Sequence, residues 1–311
     1  MVDKYSKLTP SLILNLAAPH TWMASIFPTL LAISYAISLD HEISASLCIV
    51  LLLISMLLQS AVNALNDYFD YKKGTDTESD NLEASDSVLV FNNVNPKSVL
   101  KVAVSFVIAA LALGIYCICS SGFFCLAIAG IGILVVALYS GGRTPISYLP
   151  IGEVVSGFVM GGLIAYASFN VLTLDTSPFI LVVSIPLIIN IALIMLTNNA
   201  SDIEKDAAAG RKTLPVLLGR QRSLLLYRTL VMLSYLSILI ISAIWFTPSL
   251  ILYPFMVLVS FPIARRMFKG DLAPQSRILS MGQICDFNIA SGSFYCMMVM
   301  SSNAISSLLY L

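Results

Sequence analysis

Two clusters of carboxylate and amide side chains each follow an apolar run of the sequence. The first cluster comprises Asn63, Asn66, Asp67 and Asp70. The second comprises Asn198, Asn199, Asp202 and Asp206. Carboxylate and amide oxygens are hard ligands that suit magnesium better than zinc or copper. The residue types therefore predict two patches able to bind a hard cation.

The spacing within each cluster places its members together. Residues four apart share one face of a helix, and this spacing relates Asn63 to Asp67 and Asp202 to Asp206. Carboxylates this close repel each other unless a cation lies between them. The sequence predicts that each cluster forms one polar face at the end of its helix, with Asn198 and Asn199 one turn before the second acidic pair.

Basic side chains beside the acids indicate which ligand accompanies the cation. Magnesium held by a few carboxylates usually completes its shell with water and phosphate oxygens. Lys72, Lys73, Arg211 and Lys212 are placed to neutralise the rest of a diphosphate. A single acidic pair at a helix end is most often solvated interface. Two such pairs with amides and cations favour a magnesium–diphosphate site.

The composition indicates that these clusters belong to a membrane protein. Of the 311 residues, 58% are hydrophobic and 11% are charged, whereas soluble domains carry roughly 25% charged residues. The net charge is zero, which excludes a general attraction to nucleic acid. No polar block is long enough to form a soluble domain, so residues 1–311 are predicted to form one polytopic transmembrane domain.

Nine apolar runs are long enough to cross a bilayer, which needs about 20 residues per helix. They lie near 20–38, 44–65, 98–119, 122–140, 150–169, 179–198, 224–245, 248–264 and 283–306. The sequence predicts an all-α integral membrane fold of about nine transmembrane helices, with hairpin turns at 120–122 and 247–248.

The basic residues orient this bundle. With the N-terminus inside, all 17 lysines and arginines fall on the cytoplasmic side, as expected from the positive-inside rule. The outside loops hold Asp40, His41, Glu42 and Asp175 and no lysine or arginine. Both acidic clusters follow even-numbered helices, so both are predicted to face the cytoplasm from the inner (cytoplasmic) membrane.

Three segments resemble the UbiA superfamily of intramembrane prenyltransferases. Residues 66–76, with the sequence NDYFDYKKGTD, resemble its first aspartate-rich motif, and residues 198–214 resemble its second. The segment 139–153 is similar to the menaquinone branch, whose acceptor is 1,4-dihydroxy-2-naphthoate. The resemblance covers predicted helices two to seven, and the nine-helix count extends it to the whole chain.

The resemblance implies a ring of helices around a central cavity and a Mg²⁺-dependent reaction. It implies that magnesium is held by Asp67, Asp70, Asp202 and Asp206. It implies that the diphosphate of a polyprenyl donor is bound with help from Asn63, Asn66, Asn199, Lys73, Arg143 and Lys212. Ionisation of this donor leaves an allylic cation that an electron-rich aromatic acceptor attacks. The rings of Tyr139 and Tyr68 are candidates for stabilising the cation, although packing is the commoner role.

One segment departs from the family pattern. The family's first cytoplasmic loop commonly carries an arginine, whereas the loop between Gly74 and Pro96 has no basic residue. Its acids are Asp76, Glu78, Asp80, Glu83 and Asp86. Such a loop repels a carboxylated acceptor, so the acceptor is less well specified than the reaction, and Asp76 is the weakest candidate for a metal ligand.

Other functions remain open at this stage. A different quinone, haem or lipid acceptor is the first alternative within the same reaction class. An ion-coupled transporter is the second, although its charges usually lie near the bilayer midplane. A CDP-alcohol phosphotransferase needs a pattern of acids, glycine and arginine that is absent here. The glycines at 152, 157, 161 and 162 are interpreted as a helix-packing surface.

Overall fold

The structure is a computed structural model that describes residues 5–74, 87–140 and 145–309. It excludes the side chains of residues 73, 136, 137, 140 and 307–309. Among the predicted site residues, Arg143 and Asp76 therefore lie outside the described residues, as does the side chain of Lys73. Most of the acidic loop also lies outside them.

The described residues form an all-α protein of fifteen helices. In the first half these are α1 Pro10–Ala17, α2 Met23–Ser38, α3 Ala45–Lys73, α4 Val88–Phe91, α5 Pro96–Ser121, α6 Phe124–Ser140 and α7 Gly152–Ser156. In the second half they are α8 Ile164–Thr173, α9 Phe179–Val183, α10 Ile185–Ser201, α11 Ile203–Ala208, α12 Leu214–Leu218, α13 Arg220–Trp245, α14 Tyr253–Lys269 and α15 Arg277–Leu309. A π-helical segment, Gly157–Leu163, joins α7 to α8.

Local sequence explains where the long helix α3 begins and ends. The Ser44 hydroxyl accepts a hydrogen bond from the N–H of Leu47 and so caps the first turn. Gly74 ends the helix with φ 66°, a left-handed conformation that glycine adopts without a steric penalty. Between these ends α3 is continuous, which confirms that the first acidic cluster lies on one helix.

Five helices among the described residues are long and apolar enough to cross a membrane. They are Ala45–Lys72, Pro96–Ser121, Gly152–Thr173, Arg220–Trp245 and Thr247–Lys269. A sixth is obtained if Pro10–Thr21 and Met23–Ser38, which meet at 57°, form one broken span. The chain is thus a multi-pass membrane protein, and the prediction of several apolar helices is confirmed.

The first predicted span was incomplete. A further helix, α1, precedes it, and a short 3₁₀ turn at Pro19–Thr21 separates α1 from α2. Ala18 has φ 44° at the break. The residue before a proline is sterically disfavoured in the α region, and Pro19 has no N–H to donate. These two effects end α1 at Ala17, just before the first span predicted from the sequence, 20–38.

The helix preceding the second acidic cluster was also predicted too simply. α10 ends at Ser201, and Asp202 has non-helical angles of φ −107° and ψ 18°. Asp206 lies on the separate short helix α11. The two acids therefore do not extend the face of Asn198 and Asn199 along one helix. The break redirects the chain so that Asp206 meets the following loop.

Small residues bring the π-helical segment and α10 together, as the sequence analysis predicted. A Cβ atom added at Gly157 would lie 2.6 Å from the carbonyl oxygen of Ile188, and one at Gly161 would lie 2.7 Å from the Cα of Ile188. The contact is therefore between backbones. It fixes the position of the π-helical segment, which follows α7, relative to the first turns of α10.

We expect Gly161→Ala to destabilise the protein, because its methyl group would overlap the backbone of Ile188. Overpacking of this kind costs about 1–3 kcal/mol, which thermal unfolding in detergent would measure. Gly130→Ala is the matched control, since a Cβ at Gly130 meets no atom within 4 Å. Equal melting temperatures for the two variants would contradict the assigned backbone contact.

Candidate active site

The first acidic cluster lies on the last turns of α3. Asp67 is buried, with 7% of its surface exposed, and its Oδ2 accepts a hydrogen bond from the backbone N–H of Leu89 at 3.3 Å. This bond ties the short helix α4 to α3. Asp70, one turn later, is half-buried. The segment that returns from the acidic loop is thereby held against the acids of α3.

Asn63, one turn before Asp67, forms hydrogen bonds with other parts of the protein. Its amide nitrogen donates to the carbonyl of Ala17 at 3.0 Å and to the hydroxyl of Thr21 at 2.8 Å. Gln59 donates to its amide oxygen at 3.3 Å. Asn63 thus attaches α3 to the bend between α1 and α2. Its predicted contact with substrate stays a prediction.

Asp206 is the most deeply buried of the predicted acids, with 1% of its surface exposed. Its Oδ1 accepts a charge-assisted hydrogen bond from Nη1 of Arg211 at 2.9 Å. Its Oδ2 accepts from the hydroxyl of Thr213 at 3.4 Å, and its carbonyl accepts from the N–H of Arg211 at 2.8 Å. The loop after α11 thus folds back over this carboxylate.

Arg211 connects the two acidic clusters. Burial acts to lower the pKa of this guanidinium, but the carboxylates of Asp206 and Asp70 outweigh that effect and raise the pKa above its ordinary value. The guanidinium also lies over the ring of Tyr148, 4.9 Å from its centroid. One cation therefore interacts with an acid from α3 and an acid from α11.

Asp202 is balanced by a cation from the other end of the chain. Nε of Arg277, at the start of α15, lies 3.3 Å from Oδ1 of Asp202. This distance makes an ion pair, although the Nε–H is not aligned for a hydrogen bond. Nη2 of Arg277 donates to the amide oxygen of Asn198 at 2.7 Å. Arg277 thus joins α15 to the end of α10.

A buried acid from α7 completes this group. Glu153 is 3% exposed, and its Oε1 accepts a hydrogen bond from the amide of Asn199 at 2.8 Å. Glu153 also interacts electrostatically with Asp206 and with Tyr139. Residues from α6, α7, α10 and α11 therefore converge beside the cluster that Arg211 connects to α3.

Several buried polar atoms here lack hydrogen-bond partners among the described residues. They are the hydroxyl oxygen of Tyr139, Oε2 of Glu153 and Nε of Arg211. A buried polar atom without a partner costs about 1–3 kcal/mol, so such atoms are rare in folded proteins. Three in one place mark a site that is suited to a polar ligand.

Lys72 and Lys212 are two basic residues that follow the acidic clusters in the sequence. The side chain of Lys212 is exposed, while its backbone N–H donates to the carbonyl of Tyr148 at 2.8 Å. The ammonium of Lys72 donates to the hydroxyl of Tyr68 at 3.3 Å, and the ring of Tyr68 packs edge-on against Phe69. Tyr68 is therefore engaged in local packing.

The acids fit magnesium by their chemistry but do not form a protein cage for it. Among the residues that the structure describes, no three His, Cys, Asp or Glu side chains lie close enough together to share one metal ion. Magnesium usually takes one or two carboxylates and completes its shell with phosphate oxygens and water. The two separate acidic pairs suit that mode of binding.

A surface cavity of about 390 Å³ lies elsewhere, on α14. It is lined by Phe261, Pro262, Arg265, Arg266 and Lys269, which form one stripe of that helix. It includes none of the predicted site residues. We therefore base the site on the convergence of buried acids and cations and not on cavity size.

Comparison with known proteins decides the family. Residues 25–282 match the UbiA prenyltransferase family. The chain belongs to this family. It is 32% identical over 283 residues to "1,4-dihydroxy-2-naphthoate octaprenyltransferase" of Bacillus subtilis, covering 89% of this chain and 88% of that protein. It is 26% identical over 226 residues to human "UbiA prenyltransferase domain-containing protein 1", covering 70% of this chain and 64% of that protein.

Solved structures show the same fold. A UbiA homolog from Archaeoglobus fulgidus, bound to DMAPP and Mg²⁺, matches with a TM-score of 0.61 at 17% identity, covering 93% of this chain and 99% of that one. A UbiA homolog from Aeropyrum pernix K1 matches with a TM-score of 0.66 at 14% identity, covering 87% and 96%. UbiA membership makes the chain a prenyltransferase and removes support for the transporter and CDP-alcohol phosphotransferase alternatives.

Two residues of the site were missed as site residues from the sequence. Glu153 was noticed only as part of a motif, and Arg277 only as a basic residue on the inner side. Both act across long chain separations, Glu153 on Asn199 and Arg277 on Asp202. The one available sequence indication for Glu153 was an acid within the first turn of an apolar helix.

Replacing Arg211 is expected to destabilise the protein, because it leaves Asp206 buried without its cation. Removing one partner of a fully buried ion pair costs roughly 3–5 kcal/mol. Since the side chain of Arg211 is 20% exposed, we expect about 2 kcal/mol for Arg211→Ala. Thermal unfolding in detergent would measure this loss. Arg222→Ala, which removes an exposed arginine, should leave stability nearly unchanged.

Proposed function

We propose that this prenyltransferase moves a polyprenyl group from a polyprenyl diphosphate to 1,4-dihydroxy-2-naphthoate, in a Mg²⁺-dependent step of menaquinone biosynthesis. The observation that carries the proposal is the position of Arg211, which interacts with acids from two separate helix ends. The Bacillus subtilis relative, which is similar over 89% of this chain and is named for the same acceptor, supports it.

The proposal assigns the two acidic pairs to the donor end of the site. Magnesium would be held by Asp67, Asp70, Asp202 and Asp206, and the diphosphate by Asn66, Asn199, Lys73, Arg143 and Lys212, with Asn63 supporting α3. Held by these residues, magnesium would supply positive charge to neutralise the departing diphosphate. Arg211 supports the same region, because its buried Nε has no protein partner among the described residues.

Protein side chains also prepare the acceptor end. The ring of Tyr139 would face the allylic cation and stabilise it through its π electrons. Apolar helices exclude water, which would otherwise capture the cation before the aromatic ring attacks. The proposed central cavity between the helices would hold the prenyl chain, with the lipid bilayer supplying both hydrophobic substrates.

We further propose nine membrane spans with the N-terminus and the active site on the cytoplasmic side of the inner membrane. Beyond the five or six long apolar helices, the other three predicted spans coincide with α6, with α9 and α10, and with α15. The positions of all 17 basic residues support this orientation.

An acceptor screen tests the activity. Membranes that contain the protein, supplied with Mg²⁺, a polyprenyl diphosphate and 1,4-dihydroxy-2-naphthoate, should release pyrophosphate and form a lipid-soluble prenylated product. The alkylated ring carbon loses its proton, or its carboxylate as CO₂ to give a naphthoquinol, and so becomes aromatic again. Other quinone precursors, haem and lipid alcohols serve as competing acceptors with the same labelled donor. Preference for one of these would replace the naphthoate assignment and leave the donor chemistry intact.

The same assay tests the acids. Asp67→Asn and Asp202→Asn should each lower kcat/KM by at least about 100-fold, since even residues that only support a metal ligand commonly contribute 10–100-fold. Glu42→Gln, an exposed acid in the loop between α2 and α3, is the control and should retain full activity. Activity that survives both aspartate changes would contradict the assignment of the site.

Reporter fusions test the orientation. Alkaline phosphatase is active only where its disulfides form, outside the cytoplasm. Fusion after Glu42, in the loop between α2 and α3, should therefore be active, whereas fusion after Gly219, before α13, should be inactive. The reverse pattern would place the acids on the outer face.

A further inference from the structure

Two buried oxygens, one from α6 and one from α7, lie near the second acidic cluster. Oε2 of Glu153 and the hydroxyl of Tyr139 are both buried, and neither has a hydrogen-bond partner in the described part of the chain. The hydroxyl of Tyr139 lies 3.6 Å from the position of a Cβ added at Gly152, the residue before Glu153. Polar atoms from α6 and α7 thus lie in one region, and each lacks a hydrogen-bond partner among the described residues.

Two contacts hold Glu153 in position. Its Oε1 is held by the amide of Asn199 at 2.8 Å. The element that begins with α7 also packs its backbone against α10 through Gly157 and Gly161. One oxygen of the carboxylate is therefore fixed to α10, and the other is left as a preorganised hydrogen-bond acceptor in a buried place.

The surroundings specify which chemical group suits Oε2. Glu153 interacts unfavourably with Asp206, so a further anion such as a phosphate oxygen would be repelled. A buried carboxylate oxygen needs a hydrogen-bond donor. An aromatic hydroxyl supplies a donor attached to a flat apolar ring, which suits a site formed by Tyr139 and apolar helices.

We propose that Glu153 binds the aromatic acceptor by accepting a hydrogen bond from one of its ring hydroxyls on Oε2. The inference rests on the proposed function, since it requires a hydroxylated aromatic acceptor. It adds a residue that recognises the acceptor to a site otherwise described by its contacts with the donor. Glu153 would thus select hydroxylated rings and orient the carbon that is alkylated.

Glu153→Gln tests this assignment with little change of shape. We expect the KM for the acceptor to rise roughly tenfold or more, the size of a hydrogen bond to a charged group. The KM for the polyprenyl diphosphate and the Mg²⁺ dependence should stay unchanged. Glu42→Gln is the control, because Glu42 is exposed in the loop between α2 and α3; it should leave both KM values unchanged.

Methyl ethers of the acceptor provide a second measurement that does not depend on any variant folding. Methylating the hydroxyl that Glu153 binds should raise the KM of the wild-type enzyme by a similar factor. The same methylation should have little further effect in Glu153→Gln, because one interaction cannot be lost twice.

Each other outcome identifies what has failed. If the wild type is active and neither methyl ether of the acceptor has a raised KM, Glu153 does not bind a hydroxyl and the inference is wrong. A weaker Mg²⁺ dependence or a higher donor KM in Glu153→Gln would assign Glu153 to the donor end and also overturn it. A wild-type enzyme inactive with every hydroxylated acceptor would contradict the proposed function itself.

Discussion

The site depends on the neutralisation of carboxylates that apolar helices have placed out of water. A buried carboxylate is tolerated only with a cation or with hydrogen-bond donors. Arg211 serves Asp206 directly and Asp70 through the electric field, while Arg277 serves Asp202. Arg211 comes from the loop after α11, and Arg277 comes from α15. Their ion pairs therefore hold together polar segments that lie outside the hydrophobic core.

The helices bring these neutralised carboxylates together in one site. The first acids lie on the continuous helix α3, whereas Asp202 lies at the break after α10 and Asp206 lies on the short helix α11. Asn63 attaches α3 to the bend between α1 and α2, and Arg220 forms two charge-assisted hydrogen bonds with Glu204 in α11. The site is therefore assembled from short polar connections at the ends of long apolar elements.

The sequence was sufficient to predict features that depend on residues close together in the chain. The spacing from Asn63 to Asp70 was sufficient to place one polar face on α3, and the small residues at 157 and 161 were sufficient to predict close packing. The break at Asp202 was not predictable, because no glycine or proline lies between Asn198 and Asp206. The hydrogen bond between Glu153 and Asn199 joins residues far apart in the sequence, so the pattern of one sequence does not reveal it.

The glycine contact between the π-helical segment and α10 also has a consequence for motion. Where two backbones touch, there is no layer of side chains to slide or repack. This contact therefore resists sliding of the two elements past each other. Separation of these two elements would break a contact between backbones, whereas helices that meet through side chains can move apart by rotamer changes alone.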